Sequence, residues 1–308
     1  MTVERWILLV SISLAVVACS PKPLIVSQIA DLVDQGITAY ERDDDLDLME
    51  KAFPANIKLL ETILANSPDD RQLLTMLSRM YASYAFGFVE TRLDETDYLV
   101  EPSETRAQEM VFLKDQVNRY YEKGVSYALM ALEKTAPGAT DALRTVNTIT
   151  PYLGQLGREE TAPLFWYGFN LGAWVNRNLD SVRAVSRAHV ARKVMERVIE
   201  LDPAYNHGGA HLFLLAYFGS RSPMMGGNQE KALVHYQQVK TIAGDNYLLA
   251  DLFYGRFCLH QQQDRPGFVD TMQRIANHPA NESGVSLYNA IAGRRAAAYL
   301  AAVDLLFE

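Results

Sequence analysis

The sequence predicts an all-α protein built from degenerate, tetratricopeptide-like stacked helical hairpins. Apolar residues recur at the helical period over long windows, and the alternation typical of strands is almost absent. Prolines end several of these windows, and Pro68, Pro137 and Pro203 are separated by roughly twice the 34-residue tetratricopeptide period. Each hairpin of such an array buries its apolar face on its neighbours, which accounts for the succession of helices along the chain.

The predicted helices follow one another with short connections. Helix breakers separate them, as at Pro68, Pro137-Gly138 and Pro203. Pro54 is compatible with its helix only if the helix starts or kinks there, whereas Asn228 is a good N-cap for the helix that follows it. In chain order we predict helices at 29–40, 46–66, 71–90, 105–134, 141–153, 163–175, 182–201, 209–218, 228–243, 247–261, 268–276 and 285–307.

The repeat within this array is degenerate. The tetratricopeptide pattern requires a small, a large apolar and another small residue at fixed positions before its Pro. Pro203 has a fair match in Ala191, Met195 and Val198, whereas the frame before Pro137 matches in part and a third frame fails. An irregular helical bundle therefore remains the alternative.

Length, composition and charge limit the classes of function. The 308 residues are 49% hydrophobic, which supports a folded core. The formal net charge is −8, and no cluster of Lys and Arg is interleaved with aromatic residues. These two features disfavour a nucleic acid as partner.

The N-terminus has the features of a lipoprotein leader. Residues 6–18 are uncharged and too few to span a bilayer as a permanent helix. They end in Val16-Val17-Ala18-Cys19, which resembles a bacterial lipobox and predicts cleavage before Cys19 and its acylation, for example with palmitate. An ordinary signal peptide or an uncleaved anchor is the alternative. The predicted organisation is a signal peptide at 1–18, a lipidated Cys and tether at 19–27, and a single helical-repeat domain at 28–308.

Two further residues bear on localisation and redox state. Ser20 follows the predicted lipidated cysteine, where retention in the inner membrane usually calls for Asp. We therefore predict an anchor in the outer membrane, with the protein on the periplasmic side of the envelope. Cys258, the other cysteine, lies in an apolar window and is predicted to be a buried, inert thiol.

No motif for a metal, a nucleotide or a catalytic triad is evident. His207 and His211 are four residues apart, but they lack the HExxH pattern, and His207 is expected to precede the helix. Asp43, Asp45 and Asp47 lack the Gly and Glu of a calcium loop. We predict no metal, no cofactor and no enzymatic activity, although catalytic residues can assemble from distant positions.

The turn at 219–227 is the strongest candidate for a binding surface. It is long and polar for a hairpin connection, Gly226 and Gly227 permit positive φ, and Arg221 offers a planar donor suited to a carboxylate. A purely structural turn, with Arg221 paired to a nearby acid, is the alternative. The predicted site residues of this region are His211, Tyr217, Phe218, Arg221, Pro223, Gly226 and Gly227.

An aromatic helix supplies two more candidates. Trp166 and Trp174 lie eight residues apart, which separates them by about 80° around a helix with 3.6 residues per turn. A core position accounts for most aromatic residues of this kind. The angle nevertheless predicts that one of the two faces a cleft.

The motifs in this region resemble a known family. The segments LFWYGFNLGAWVN and MERVIELDPAYNHGGAHLFLLAYFGSRSPMMGGNQEKALVHYQQ, which cover roughly residues 164–240, resemble the T component of tripartite ATP-independent periplasmic (TRAP) transporter systems. The lipobox agrees with this family of periplasmic lipoproteins. The resemblance implies a periplasmic solute-binding protein as partner. The resemblance also leads us to expect a homotrimer with a pore-like opening in each subunit. Many TRAP substrates carry a carboxylate, which would suit Arg221.

Two functions of other classes remain open from the sequence. The first is a general interaction scaffold of the envelope, and the second is an enzyme with scattered catalytic residues. Neighbouring genes for a solute-binding protein and a TRAP permease would favour the transport function. A cleft with converging charged groups would favour an enzyme.

Overall fold

The computed structural model describes residues 36, 39–144, 146–279 and 284–307. Within these ranges the chain forms helices and connections and contains no strand, which confirms the all-α prediction. The leader at 1–18, Cys19, the tether at 19–27 and most of the predicted helix at 29–40 lie outside the described residues. None of the described helices is long and apolar enough to cross a membrane.

Four helices form the first part of the fold: α1 Leu46–Leu64, α2 Arg71–Tyr84, α3 Glu90–Leu99 and α4 Glu104–Thr135. Asp45, Asp70 and Ser103 cap α1, α2 and α4, each accepting a hydrogen bond from a backbone N–H. Pro54 lies inside α1 rather than at its start.

The helix predicted at 71–90 does not end at Glu90. It passes through a π-helical turn at Ala85–Val89, here called the first π segment, and continues as α3. The sequence pattern fails here because α3 has almost no apolar stripe and instead buries Asp94 with charged partners.

The central helices agree with the sequence prediction except at one break. The predicted helix at 141–153 is split into two short ones, and the predicted helix at 182–201 has the bounds observed for α8. These helices are α5 Ala139–Ala142, α6 Val146–Gln155, α7 Thr161–Asn176, α8 Val182–Leu201 and α9 Tyr205–Gly219, with a 3-10 turn at Arg158–Glu160.

The last part of the chain contains a second π-helical turn at Gly255–Leu259, here called the second π segment. Asn228 caps α10, as predicted, because its side chain accepts from the Lys231 N–H at 2.8 Å. The helices are α10 Gln229–Ala243, α11 Leu248–Tyr254, α12 Arg265–Ala276, α13 Ser286–Ala301 and α14 Val303–Leu306, with a 3-10 turn at Pro223–Met225.

Some neighbouring helices pack as pairs, such as α7 with α8 and α9 with α10, and α4 packs as extensively against α2 and α7, which are not its neighbours in sequence. The last long helix, α13, also packs against α3, the first π segment and α1. Leu287 and Ile291 of α13 belong to the apolar core of α1 to α4, whereas Ala292, Ala296 and Tyr299 belong to the second core. Helix α13 therefore joins the two cores and brings the end of the chain back to its beginning.

Candidate functional site

A cavity of about 230 Å³ lies between the two apolar cores. Side chains from α2, α3, α7, α9, α11, α13 and both π segments form its wall. Fourteen of the 33 residues in that wall are aromatic. Several of their rings contact one another, since the Phe86 ring of the first π segment lies 5.9 Å from Phe169 of α7 and 5.9 Å from Phe253 of α11. A cavity lined by many apolar and aromatic side chains suits an apolar or ring-containing ligand.

The two π segments flank this cavity. Phe86 and Phe88 of the first and Arg256 and Phe257 of the second line it. A π turn inserts an extra residue into the helix and so changes the direction of the side chains that follow, and such turns are frequent at functional sites. Here both turns aim large side chains into the same space.

A cluster of four buried charges stands at one side of the cavity and consists of Glu90, Asp94, Arg177 and Arg295. The Arg177 Nη2 atom lies 2.8 Å from Glu90 Oε1 and 2.8 Å from Asp94 Oδ1. The Arg295 Nη2 atom lies 2.8 Å from Asp94 Oδ2 and 3.2 Å from Glu90 Oε1. Burial raises the pKa of both carboxyls, but the two guanidinium groups outweigh it and hold each pKa below its ordinary value. Both carboxylates are therefore charged at neutral pH.

A second polar group lines another part of the wall. Arg79 pairs with Glu41 at 2.6 Å, and the Tyr288 hydroxyl donates to the same carboxylate at 2.8 Å. His207 packs against Tyr288 and lies with Nε2 3.8 Å from Glu41. Asn206, His207 and Gly208 all have positive φ, so α9 begins with a left-handed turn at the cavity wall.

The turn at 219–227 lies outside this cavity. The Arg221 guanidinium donates to the Tyr217 carbonyl at 2.9 Å and stacks on the Tyr217 ring with its centre 4.1 Å away. It also reaches Asn176 Oδ1 at 3.5 Å, and Asn176 in turn lines the cavity. Arg221 thus binds the end of its own helix. It does not pair with a described Asp or Glu, as the purely structural alternative had supposed. Arg221 and Tyr217 instead border a small hollow of about 10 Å³.

The two glycines of the turn have different roles. Gly226 has a φ of 87°, which glycine adopts without strain. Gly227 is not in that region, but a Cβ atom there would stand 1.8 Å from the Arg221 carbonyl oxygen. Positive φ therefore applies to Gly226, while Gly227 permits a close backbone approach. Pro223 starts the 3-10 turn and is exposed.

The other predicted site residues occupy separate places. Trp166 lines the cavity and donates from Nε1 to the Tyr205 hydroxyl at 3.1 Å, so one of the two tryptophans does face a cleft. Trp174 packs between the cores beneath Arg183 instead. His211 and Phe218 face α10, where both pack on His235.

The two histidines considered as metal ligands, His207 and His211, have different partners in the structure. His211 pairs with His235 through their Nδ1 atoms at 2.9 Å, while His207 contacts Glu41 elsewhere. Across the described ranges no three His, Cys, Asp or Glu side chains form a group able to hold a metal ion. Cys258 is buried, and burial raises the pKa of its thiol to about 12.

The pair of His211 and His235 predicts that the folded state loses stability as the pH falls. Burial, His211 and Lys231 lower the pKa of His235 to about 4, opposed by Glu196, while an unfolded histidine titrates near 6.5. Between these two pKa values the unfolded state therefore binds more protons than the folded state. The free energy of unfolding should fall by about 2 kcal/mol as the pH drops from about 6.5 to about 4. His235→Gln should flatten this slope in urea titrations at several pH values. His278→Gln serves as control, and equal slopes in all three proteins would contradict the assignment.

The cavity residues that the sequence did not indicate include the charged ones. Glu90 and Asp94 are one helical turn apart, but Arg177, Arg256 and Arg295 come from distant helices. The adjacent pair Arg294 and Arg295 gives no local sign that only Arg295 is buried. The sign that the sequence offered for this cluster is the spacing of Glu90 and Asp94, which lie one turn apart on a helix of weak amphipathicity.

Fold and cavity together define an all-α protein whose helices surround a largely apolar cavity with charged groups in its wall. A family model described as TRAP transporter T-component matches residues 42–307. The chain therefore belongs to the T-component family of TRAP transporters.

One relative illustrates the reach of this similarity. An uncharacterized protein of Treponema pallidum (strain Nichols) is 26% identical over 249 residues, which cover 80% of this chain and 75% of that protein. The family places the protein in a TRAP transport system and fits a location in the cell envelope.

Proposed function

We propose that the protein is the lipid-anchored accessory component of a TRAP-type uptake system, facing the periplasm from the outer membrane. In this role it docks a periplasmic solute-binding protein and holds a small solute in its central cavity. The largely apolar cavity of about 230 Å³ carries the proposal, because a scaffold that only docks proteins does not require such a space. A homotrimer is compatible with this role and is testable by light scattering.

The docking surface proposed here is the turn at 219–227. Its tip is apolar, since Met224 is 97% exposed and Met225 is 60% exposed. Methionine side chains are flexible and adapt to varied partner surfaces. The turn also contacts Asn176 through Arg221, and Asn176 belongs to the cavity wall. A partner bound at this tip would therefore sit close to the cavity.

Met224→Glu should weaken capture of the solute-binding protein about tenfold or more, because a charge would replace an exposed apolar contact at the interface. The measurement is a pull-down from native envelope extract with the tagged full-length protein, followed by mass spectrometry of proteins and small molecules. Leu48→Glu is the matched control, since Leu48 is also exposed but lies on α1. Equal capture by both variants would remove the turn from the interface. Failure of the wild-type protein to capture any solute-binding protein would refute the docking role.

The lipid anchor has its own test. Cys19→Ala should leave the leader uncleaved or release the protein from the membrane fraction, because acyl chains supply the binding energy for the bilayer. Fractionation with intact-mass measurement distinguishes processed from unprocessed protein. Unchanged mass and fractionation would contradict lipidation at this residue.

A further inference from the structure

We propose that the cavity binds an organic monoanion, a small carboxylate with an apolar ring-containing body, whose carboxylate contacts Arg256 and Arg295. This assignment rests on the proposed function to the extent that the cavity holds a solute. It names the chemical class of that solute and the two side chains that select it.

Arg295 has hydrogen-bond donors that no described residue uses. Its side chain is buried and lines the wall. Its Nη2 atom donates to Asp94, Glu90 and the Tyr299 hydroxyl. Its Nε and Nη1 atoms, in contrast, are buried without a partner among the described residues. Buried donors are nearly always satisfied, so an acceptor supplied by a ligand would complete this site. The guanidinium also lies 4.9 Å over the Phe86 ring, which fixes its plane.

Arg256 adds a positive charge that no carboxylate balances directly. It lines the cavity from the second π segment, stacks over the Tyr299 ring at 5.7 Å and has Nη1 3.3 Å from His260 Nδ1. Among the described residues it forms no ion pair within 4.0 Å, unlike Arg177 and Arg295. Burial and Arg256 itself lower the pKa of His260, so that ring is neutral at pH 7.

The local charge sets the charge of the ligand. Three guanidinium groups, from Arg177, Arg256 and Arg295, face two carboxylates, from Glu90 and Asp94, which leaves one positive charge in excess. At the other polar group of the wall, Arg79 and Glu41 balance each other. A buried excess charge is unfavourable unless it is paired. One negative charge on the ligand neutralises the site, whereas two would leave a negative excess.

The rest of the cavity sets the body of the ligand. Beyond the arginines, the wall is mainly apolar and includes aromatic rings such as those of Phe169, Phe253 and Phe257. A cavity of about 150 Å³ accommodates benzene, so the present volume of about 230 Å³ suits about ten non-hydrogen atoms. A phenyl ring on a short chain that ends in a carboxylate has this size and stacks on such a wall.

The test compares three probes by isothermal titration calorimetry on the full-length protein in detergent. The probes are 3-phenylpropionate, the neutral 3-phenylpropan-1-ol and the dianion 2-phenylsuccinate. We expect the monoanion to bind at least tenfold more tightly than the alcohol and the dianion. Arg256→Gln should abolish this preference, while Arg256→Lys, which keeps the charge, should retain most of it.

Two further variants serve as controls. Arg294→Gln removes the neighbouring arginine, which pairs with Glu95 at 2.7 Å and does not line the cavity, and it should leave all three affinities unchanged. Ala173→Phe fills the cavity from α7 and should abolish binding of every probe. Melting curves confirm that each variant is folded.

The outcomes separate this proposal from the proposed function. Equal binding of acid and alcohol, with both lost in Ala173→Phe, would show that the cavity holds a solute and would overturn the anion assignment. A preference for the acid that survives Arg256→Gln would overturn it as well, as would binding that survives Ala173→Phe. If no probe binds while the solute-binding protein is still captured, the anion site is refuted and the docking role stands.

Discussion

Replacing Arg177 by Gln should lower the free energy of unfolding by about 3–5 kcal/mol, the cost typical of removing one partner from a buried ion pair. Arg177 contacts Glu90 and Asp94 at 2.8 Å each, and both carboxylates are buried or nearly so. Without it, Arg295 would be the one remaining ion-pair partner of both carboxylates among the described residues. Urea denaturation at pH 7 measures the change.

A surface ion pair provides the control for this experiment. Lys134 pairs with Asp69 on the outside of α4, and exposed pairs of this kind contribute about 0–1 kcal/mol. Lys134→Gln should therefore have a small effect. Similar losses in both variants would mean that the buried cluster does not stabilise the fold in the way that its geometry suggests.

The cluster should also give the protein a second acid transition. The pKa values of Glu90 and Asp94 are held below those of the unfolded chain. Their contribution is therefore present above the ordinary carboxyl pKa of about 4 and is lost as the pH falls further. This window lies below that of the histidine pair.

Gly124→Ala should destabilise the protein by about 1–3 kcal/mol, although Ala favours a helix over Gly by about 1 kcal/mol. A Cβ atom at this position of α4 would stand 2.1 Å from Asn170 Oδ1 and 2.3 Å from Asn170 Cγ. Asn170 cannot move away freely, because its Nδ2 donates to the Trp166 carbonyl at 2.7 Å and to Ser78 of α2. The crossing of α2, α4 and α7 therefore depends on the missing side chain.

Gly293→Ala is the matched control for this substitution. Gly293 lies inside α13, and a Cβ atom there meets nothing within 4 Å. This change should stabilise the protein by about 0.5–1 kcal/mol. A double-mutant cycle with Asn170→Ala tests the mechanism, because the cost of Gly124→Ala should shrink once Asn170 is truncated. Additive effects would place the strain elsewhere.

The sequence by itself determined the features that depend on neighbouring residues. The bounds of α8, the cap at Asn228 and the fold class all follow from apolar spacing and backbone capping within a few residues. The motifs between residues 164 and 240 led to the family, which the match over residues 42–307 confirmed. The angle between two tryptophans on one helix predicted that one of them faces a cleft, and the structure shows that it is Trp166.

The tertiary structure decided the position and chemistry of the site. The composition of the turn at 219–227 predicted that it forms one wall of a binding site. In the structure the guanidinium of Arg221 instead donates to a carbonyl at the end of its own helix, and no residue of the turn lines the cavity. Glu90 and Arg295, which meet in the wall of that cavity, are 205 positions apart.

The reason lies in the range of the forces involved. Helix formation and capping are set by contacts within one or two turns, so they leave a periodic signal in the sequence. A buried ion pair depends on desolvation and distance in three dimensions, and neither has a period. Only when α13 packs against α3 does Arg295 meet Glu90 and Asp94, and only then is one guanidinium left with donors that the chain itself does not use.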